Sequence, residues 1–123
     1  MCLILFAHRV VPGAPLIVAA NRDEHFIRPA SPAAIWDDHP GILAGRDLAG
    51  GGTWLGVTTS GRFAALTNFR NPATHRADAP SRGELVQAFL AGRMSARTYV
   101  EDIVREAVPY NGFCLLVGDG REL

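Results

Sequence analysis

The sequence predicts an α+β domain built on antiparallel β-sheets, and three observations support that fold class. Short apolar runs separated by turns rich in Gly and Pro extend over residues 2–67. The hydrophobic period then changes to that of α-helices over residues 81–107, and a further apolar run follows at 113–117. Strands that precede helices, instead of alternating with them, are typical of α+β domains rather than doubly wound parallel sheets.

The first two predicted strands form a hairpin. Residues 2–7 and 16–20 are apolar runs of strand length, and the segment 11–15 between them is rich in Pro and Gly, which favour a turn. An antiparallel hairpin brings the start of its first strand beside the end of its second strand. The pattern therefore predicts that Cys2 and Asp23 are neighbours in space.

The middle of the chain alternates between loops and short strands. Its predicted elements are, in order, a loop at 28–41 around Trp36, a short strand at 42–44, a Gly-rich turn at 45–52, strands at 53–58 and 63–67, and a loop at 68–80. The strands at 53–58 and 63–67 are separated by a polar turn that contains Gly61, which predicts a second hairpin.

Two helices follow. Ser81 precedes Glu84 by three residues, which predicts a capping box at the start of the first helix, and Gly92 is expected to end it. Ser95 is the predicted cap of the second helix, which stops before Pro109.

The composition is that of an ordinary globular domain. The chain has 123 residues, which favours one domain, and 48% of them are hydrophobic. Lys and Arg together number 12, as do Asp and Glu, so the formal net charge is zero. No basic patch is evident, and nucleic acid and anionic membrane surfaces are therefore not expected as partners.

Targeting, redox and metal signals are also weak. The apolar run Leu3–Ala7 is too short for a signal peptide core or a transmembrane segment. Cys2 and Cys114 do not make a disulfide framework, so a reduced, cytoplasmic setting is expected. The four histidines show no metal-ligand spacing, and neither a metal nor a cofactor is expected.

The chain stops soon after its last predicted strand. We therefore expect residues 1–123 to form a single domain that is the N-terminal part of a longer one. An incomplete domain would expose apolar faces of its sheets, which favours a homo-oligomer.

Cys2 is the first candidate for a catalytic residue. It directly follows Met1, and removal of that methionine would leave a cysteine that carries its own α-amino group. An N-terminal amine can act as the base that activates an adjacent nucleophile. The alternative interpretation is a small apolar residue at the start of a buried strand.

Two polar segments follow predicted strands. In Asn21–Glu24, Asp23 could hold the amine of Cys2 and the arginine could bind a carboxylate, although a solvated turn with an ion pair is the alternative. In the second segment, Asn68 offers uncharged N–H donors suited to an oxyanion, and Arg70 could bind an anionic substrate group. The alternative for Asn68 is an Asx turn that leaves the strand.

Six motifs taken together resemble the NRDE family, also called the transport and Golgi organisation protein 2 family. They are Met1-Cys2, Asn21-Arg22-Asp23-Glu24 with Arg28-Pro29, Gly51-Gly52-Thr53-Trp54-Leu55-Gly56, Thr67-Asn68-Phe69-Arg70, Ser81-Arg82-Gly83 and Tyr110-Asn111-Gly112-Phe113. The resemblance covers nearly the whole chain, and members of the family are longer. Cys114 stands where the family pattern has Asn.

That family in turn resembles the N-terminal nucleophile hydrolases, which implies a four-layer α-β-β-α sandwich with antiparallel sheets. The resemblance implies that Cys2 is the nucleophile, Asp23 the carboxylate near its amine and Asn68 an oxyanion donor. Asn21, Arg22 and Arg70 are predicted to bind substrate. The implied reaction is hydrolysis of an amide or acyl bond of a small molecule. The Arg that such enzymes have three residues before the Asp is Ala20 here. The alternative that the resemblance allows is a non-enzymatic protein that binds or carries haem or an acyl lipid in the same cleft.

Overall fold

A computed structural model describes residues 2–69 and 71–123 of the chain. Within these residues the strands are Leu3–Val11 (β1), Ala14–Asn21 (β2), Ala30–Ile35 (β3), Ile42–Asp47 (β4), Leu55–Thr58 (β5), Phe63–Asn68 (β6) and Phe113–Gly118 (β7). The α-helices are Gly83–Ala91 (α1) and Ala96–Glu106 (α2), and a short 3-10 helix spans Pro72–Thr74. Arg70, a predicted substrate-binding residue, lies outside the described residues.

The strands form two antiparallel sheets. β1 and β2 make a two-stranded sheet, and the other strands make a five-stranded sheet in the order β3-β4-β5-β6-β7. The predicted α+β class and both predicted hairpins are confirmed. The register places Leu3 opposite Asn21 in the first hairpin and Leu55 opposite Ala65 in the second.

The predicted loop at 28–41 is wrong for residues 30–35, which form the edge strand β3. Pro32 obscured this strand, because proline cannot donate to a hydrogen-bond ladder and is tolerated only at edges and bulges. The pairing of β3 with β4 shifts between Ser31 and Ala34, and Pro32 lies inside that irregularity. β4 also runs on to Asp47, into the segment predicted as a turn.

The predicted capping box at Ser81 and Glu84 is wrong. α1 begins at Gly83 after Arg82, which makes no side-chain cap, and Ser81 contributes only its carbonyl, which accepts the Glu84 N–H at 3.2 Å. The Glu84 carboxylate instead accepts a hydrogen bond from the Tyr110 hydroxyl at 2.5 Å. The Glu84 side chain therefore bonds to Tyr110, which is distant in sequence, instead of capping its own helix.

The hydrophobic core lies between the five-stranded sheet and α1. Val86 and Phe89 of α1 are fully buried, and Leu90 reaches β5 at Gly56, where a Cβ atom would lie 2.7 Å from the Leu90 Cδ1. The Phe89 ring also packs against Tyr99 of α2, with 5.2 Å between ring centroids. α1 thereby packs against both β5 and β6.

The N-terminus of α2 is held by two polar side chains. The predicted cap is confirmed, since the Ser95 Oγ accepts the Thr98 N–H at 3.1 Å. In addition, the Asp119 carboxylate that follows β7 accepts the N–H of Ala96 at 3.0 Å. A carboxylate at this position satisfies one of the unpaired N–H groups of the first helical turn.

We expect Asp119→Asn to lower the free energy of unfolding by about 1 kcal/mol near neutral pH. Hydrogen bonds from the backbone N–H groups of Ala96, Arg121 and Glu122 hold the pKa of the Asp119 carboxyl below its ordinary value. A carboxyl with a lowered pKa stabilises the fold above its pKa in the unfolded chain, and this stabilisation is lost as the pH falls through the pKa of the folded state.

The difference in the free energy of unfolding between wild type and Asp119→Asn should therefore become smaller below about pH 4. Urea denaturation at neutral and acidic pH measures it, with the exposed Asp37→Asn as control. An equal difference at both pH values would show that the charge of Asp119 is not involved.

Candidate functional site

The first part of the candidate site lies at the end of the β1–β2 hairpin that is opposite its turn. The Leu3 N–H donates to the Asn21 Oδ1 at 2.8 Å, which closes the hairpin at its polar end. Beyond this pair, the Asp23 N–H donates to the Cys2 Sγ at 3.4 Å, and the Sγ lies 3.9 Å from the Asp23 carbonyl oxygen. The predicted proximity of Cys2 and Asp23 is confirmed, and the contacts involve the backbone of Asp23.

Arg22 faces the larger sheet. Its guanidinium carbon lies 4.4 Å from the centroid of the Trp54 ring, within the range of a cation–π interaction. The predicted substrate-binding side chain is therefore stacked on an aromatic ring that immediately precedes β5.

Glu24 and Asn68 border one cleft of about 500 Å³. Asn68 ends β6, and Glu24 ends the polar segment that begins at Asn21. The Glu24 carboxylate accepts the N–H of His25 at 3.0 Å, which holds it in a local turn. The fold thus brings Asn68 and Glu24 to one cleft at the end of the sheet where β6 finishes, whereas Cys2 and Asp23 are not among the residues that border it.

The cleft has a further wall that the sequence did not reveal. The Asn111 carboxamide accepts the N–H of Arg76 at 2.8 Å and donates to the Arg76 carbonyl oxygen at 2.8 Å. On the other side, the Gly112 carbonyl accepts the Phe69 N–H at 2.9 Å and an Arg82 N–H at 2.8 Å. The segment that begins at Tyr110 therefore fixes both the loop after β6 and the start of α1.

We expect Asn111→Ala to raise the hydrogen exchange rate of the Arg76 amide about fivefold, the factor for one hydrogen bond of about 1 kcal/mol. The matched control is Asn71→Ala, because the Asn71 Oδ1 accepts a hydrogen bond from Ala73, within the same loop. Exchange followed by mass spectrometry measures both variants. Equal protection of Arg76 in wild type and Asn111→Ala would show that the carboxamide does not hold the loop.

A larger cavity of about 580 Å³ lies at the opposite end of the five-stranded sheet. It is bordered by His39, Thr59, Ser60 and Arg93 among others. Among the residues that the structure describes, none of those predicted for the site borders it, so cavity size alone does not identify the functional site.

Two structural features are absent from the described part of the chain, namely a cluster of metal-ligand side chains and a long apolar helix. Within residues 2–69 and 71–123, no group of three or more His, Cys, Asp or Glu side chains is arranged to hold a metal ion. None of the helices that the structure describes is long and apolar enough to cross a lipid bilayer.

Known proteins share the sequence pattern of this chain. A sequence model of the family described as Transport and Golgi organisation 2 matches residues 1–123. The chain is 42% identical over 126 residues to the transport and Golgi organization protein 2 homolog of Bos taurus, and 40% identical over 126 residues to that of Homo sapiens. It is 34% identical over 125 residues to transport and Golgi organization protein 2 of Drosophila melanogaster.

The matches cover 97% of this chain for the two mammalian proteins and 92% for the fly protein. They cover 45% of each mammalian protein and 44% of the fly protein. The chain thus spans less than half the length of these curated relatives.

Proposed function

Because the chain belongs to the Transport and Golgi organisation 2 family, with the motifs of that family along its length, we propose that it carries an N-terminal nucleophile site centred on Cys2. The observation that supports this proposal is the contact of 3.4 Å between the Asp23 N–H and the Cys2 Sγ. This hydrogen bond holds the Cys2 thiol next to the polar segment Asn21–Glu24. The proposed reaction is hydrolysis of an amide or related acyl bond in a small molecule.

The proposed fold extends the observed α+β architecture to an α-β-β-α sandwich. In this proposal the β1–β2 hairpin belongs to one antiparallel sheet and β3–β7 form the other, with α1 and α2 as an outer layer. The cleft beside Asn68 is bordered by Glu24, the residue after Asp23, and in this proposal it holds the substrate. A site at strand ends is open to substrate without disturbing the packed core.

In the proposed mechanism, removal of Met1 leaves the α-amine of Cys2 as the base. The amine takes the thiol proton while the sulfur attacks the acyl carbon, and the resulting oxyanion accepts an N–H from the Asn68 carboxamide. The bond to the leaving amine breaks as that amine receives the proton. Water then attacks the thioester, releases the carboxylic acid and restores the thiol.

The remaining predicted residues have supporting roles in this proposal. The Asp23 carboxylate compensates the charge of the α-ammonium group. Asn21 closes the hairpin end, and Arg22 and Arg70 bind or orient an anionic part of the substrate.

Intact-mass measurement of the protein from its natural host tests the base directly. The proposed mechanism requires a mass that lacks Met1, because an amine joined to Met1 is an amide and cannot accept a proton. A mature protein that retains Met1 would rule out the mechanism in which the N-terminal amine is the base.

We expect Asp23→Asn to slow alkylation of the Cys2 thiol near neutral pH by a few fold, because the substitution keeps the backbone contact and removes a charge beside the amine. Peptide mass spectrometry after a short pulse of iodoacetamide gives the rate at Cys2. Asp37→Asn, an exposed Asp elsewhere, is the control. An unchanged alkylation rate would show that the Asp23 carboxylate does not act on Cys2. The segment Asn21–Glu24 would then be a structural turn only.

A second candidate function is binding of haem or an acyl lipid without hydrolysis. It is favoured by the apolar part of the cleft wall, where the Phe69 side chain is 62% exposed. This function predicts stoichiometric binding that survives Cys2→Ser. Absence of a haem spectral shift and of affinity for acyl-CoA would exclude it.

A further inference from the structure

A stack of three groups joins the polar end of the hairpin to the five-stranded sheet. The Arg22 guanidinium lies over the Trp54 ring at 4.4 Å, and the Cη2–Cζ2 edge of that ring lies against Gly45 of β4. A Cβ atom at Gly45 would come within 2.8 Å of the Trp54 Cη2 and 3.0 Å of its Cζ2. The glycine therefore leaves the space that the indole occupies.

Trp54 is itself fixed to the sheet. Its carbonyl accepts the N–H of Leu66 in β6 at 2.8 Å, and β5 begins at the next residue. The position of the indole is thus set by the backbone of β4 and β6, and Arg22 is held against a rigid surface. Arginine suits such a stack because its guanidinium is planar and more weakly hydrated than an ammonium group.

The residue after Arg22 contacts the thiol. The peptide that joins Arg22 to Asp23 is planar, so holding Arg22 restricts the direction of the Asp23 N–H. That N–H is the one that donates to the Cys2 Sγ at 3.4 Å. The position of the thiol contact therefore depends on an aromatic side chain far along the sequence.

We propose that Trp54 is a positioning residue for Cys2, acting through Arg22 and the Asp23 N–H. The proposal deepens the function proposed above and rests on it for the chemical role of the thiol. Arg22 then serves the site by holding the polar segment on the sheet, whether or not it also contacts substrate. This gives the Trp54 and Gly45 positions a role at a site that neither of them borders.

The test compares two readouts in the same variants. The first is the alkylation rate of Cys2 relative to that of Cys114, an exposed thiol on β7 that serves as an internal reference. The second is the hydrogen exchange rate of the Asp23 amide, followed by NMR. The variants are Trp54→Ala, Trp54→Phe and Arg22→Gln. Arg46→Gln is the matched control, because it removes a guanidinium that lies 4.2 Å from the Trp36 ring.

We expect Trp54→Ala and Arg22→Gln each to lower the rate ratio of Cys2 to Cys114 about fivefold and to raise Asp23 exchange by a similar factor, as for loss of one cation–π contact. Trp54→Phe should restore most of both values, and Arg46→Gln should change neither. Arg22→Gln leaves the indole and the sheet intact, so it keeps the test valid if Trp54→Ala does not fold.

The two proposals fail in different ways. Unchanged Asp23 exchange and an unchanged rate ratio in both Trp54→Ala and Arg22→Gln would overturn the positioning role, even with a reactive Cys2. A wild-type Cys2 that reacts no faster than Cys114 would overturn the proposed nucleophile. In that case, increased Asp23 exchange in both variants would still support the positioning of the polar segment by Trp54.

Discussion

Replacing Cys2 with alanine is expected to lower kcat/KM for an amide substrate by at least about a thousandfold, since no other group can replace a missing nucleophile. A panel of N-acyl amides with acyl chains of different lengths provides the substrates, and mass spectrometry of the released amines measures the rate. The matched control is Cys114→Ala, which removes the exposed cysteine of β7. We expect this control to retain full activity.

The contribution of Asn68 can be separated from that of the nucleophile. Asn68→Ala should lower kcat by about a hundredfold to a thousandfold, the range for loss of one oxyanion donor. Alkylation of Cys2 should be unchanged in this variant, because the side chain acts on the substrate oxygen. Hydrolysis that persists in Cys2→Ala would contradict the proposed chemistry, whatever the result at Asn68.

Gly52→Ala is expected to destabilise the fold by about 3 kcal/mol or more, because the new methyl group has no space and no flexible neighbour. A Cβ atom at Gly52 would lie 2.5 Å from both the carbonyl carbon and the oxygen of Gly83, and 2.9 Å from the Glu84 nitrogen. All three are backbone atoms at the start of α1. The Thr53 N–H also donates to the Gly83 carbonyl at 3.3 Å, so the helix cannot move away without losing that bond.

Two other glycines separate steric crowding from backbone strain. At Gly41 the nearest atom to a Cβ would be the Thr59 Oγ1 at 3.7 Å, an ordinary contact, and Gly41→Ala should be close to neutral. Gly51 has a φ of 78° in open space, so Gly51→Ala should cost about 1 kcal/mol through conformation alone. Urea denaturation measures the free energy of unfolding of all three variants. An equal loss in Gly52→Ala and Gly51→Ala would show that the start of α1 can shift to make room for the methyl group.

The parts of the structure that could be predicted from sequence are those set by local geometry. The hairpin of β1 and β2 follows from two apolar runs and a turn, and its pairing alone brings Cys2 close to Asp23. The Ser95 cap is also a local interaction, between residues three apart.

The contacts that were not predicted join residues far apart in sequence. The Glu84 carboxylate binds Tyr110 rather than its own helix, and Asn111 pairs with Arg76 across a separation of 35 residues. No local pattern contains such partners, because they meet only after the sheet has formed. The strand β3 was missed for a different reason, since its Pro32 is tolerated only where the ladder is already irregular.

The two-stranded sheet affects the order in which parts of the molecule unfold. A hairpin of two strands is marginally stable by itself, and proteins open in cooperative units of unequal stability. β1 and β2 pack closely on each other, and the contacts that attach them to the rest of the protein include the 2.6 Å bond from the Arg9 Nη2 to the carbonyl of Arg121, which follows β7. The hairpin is therefore expected to open as a unit of its own while the core around Phe89 stays folded. The surroundings of Cys2 would then exist only in molecules whose hairpin is closed, and the fraction of closed hairpins would set an upper limit on the active population.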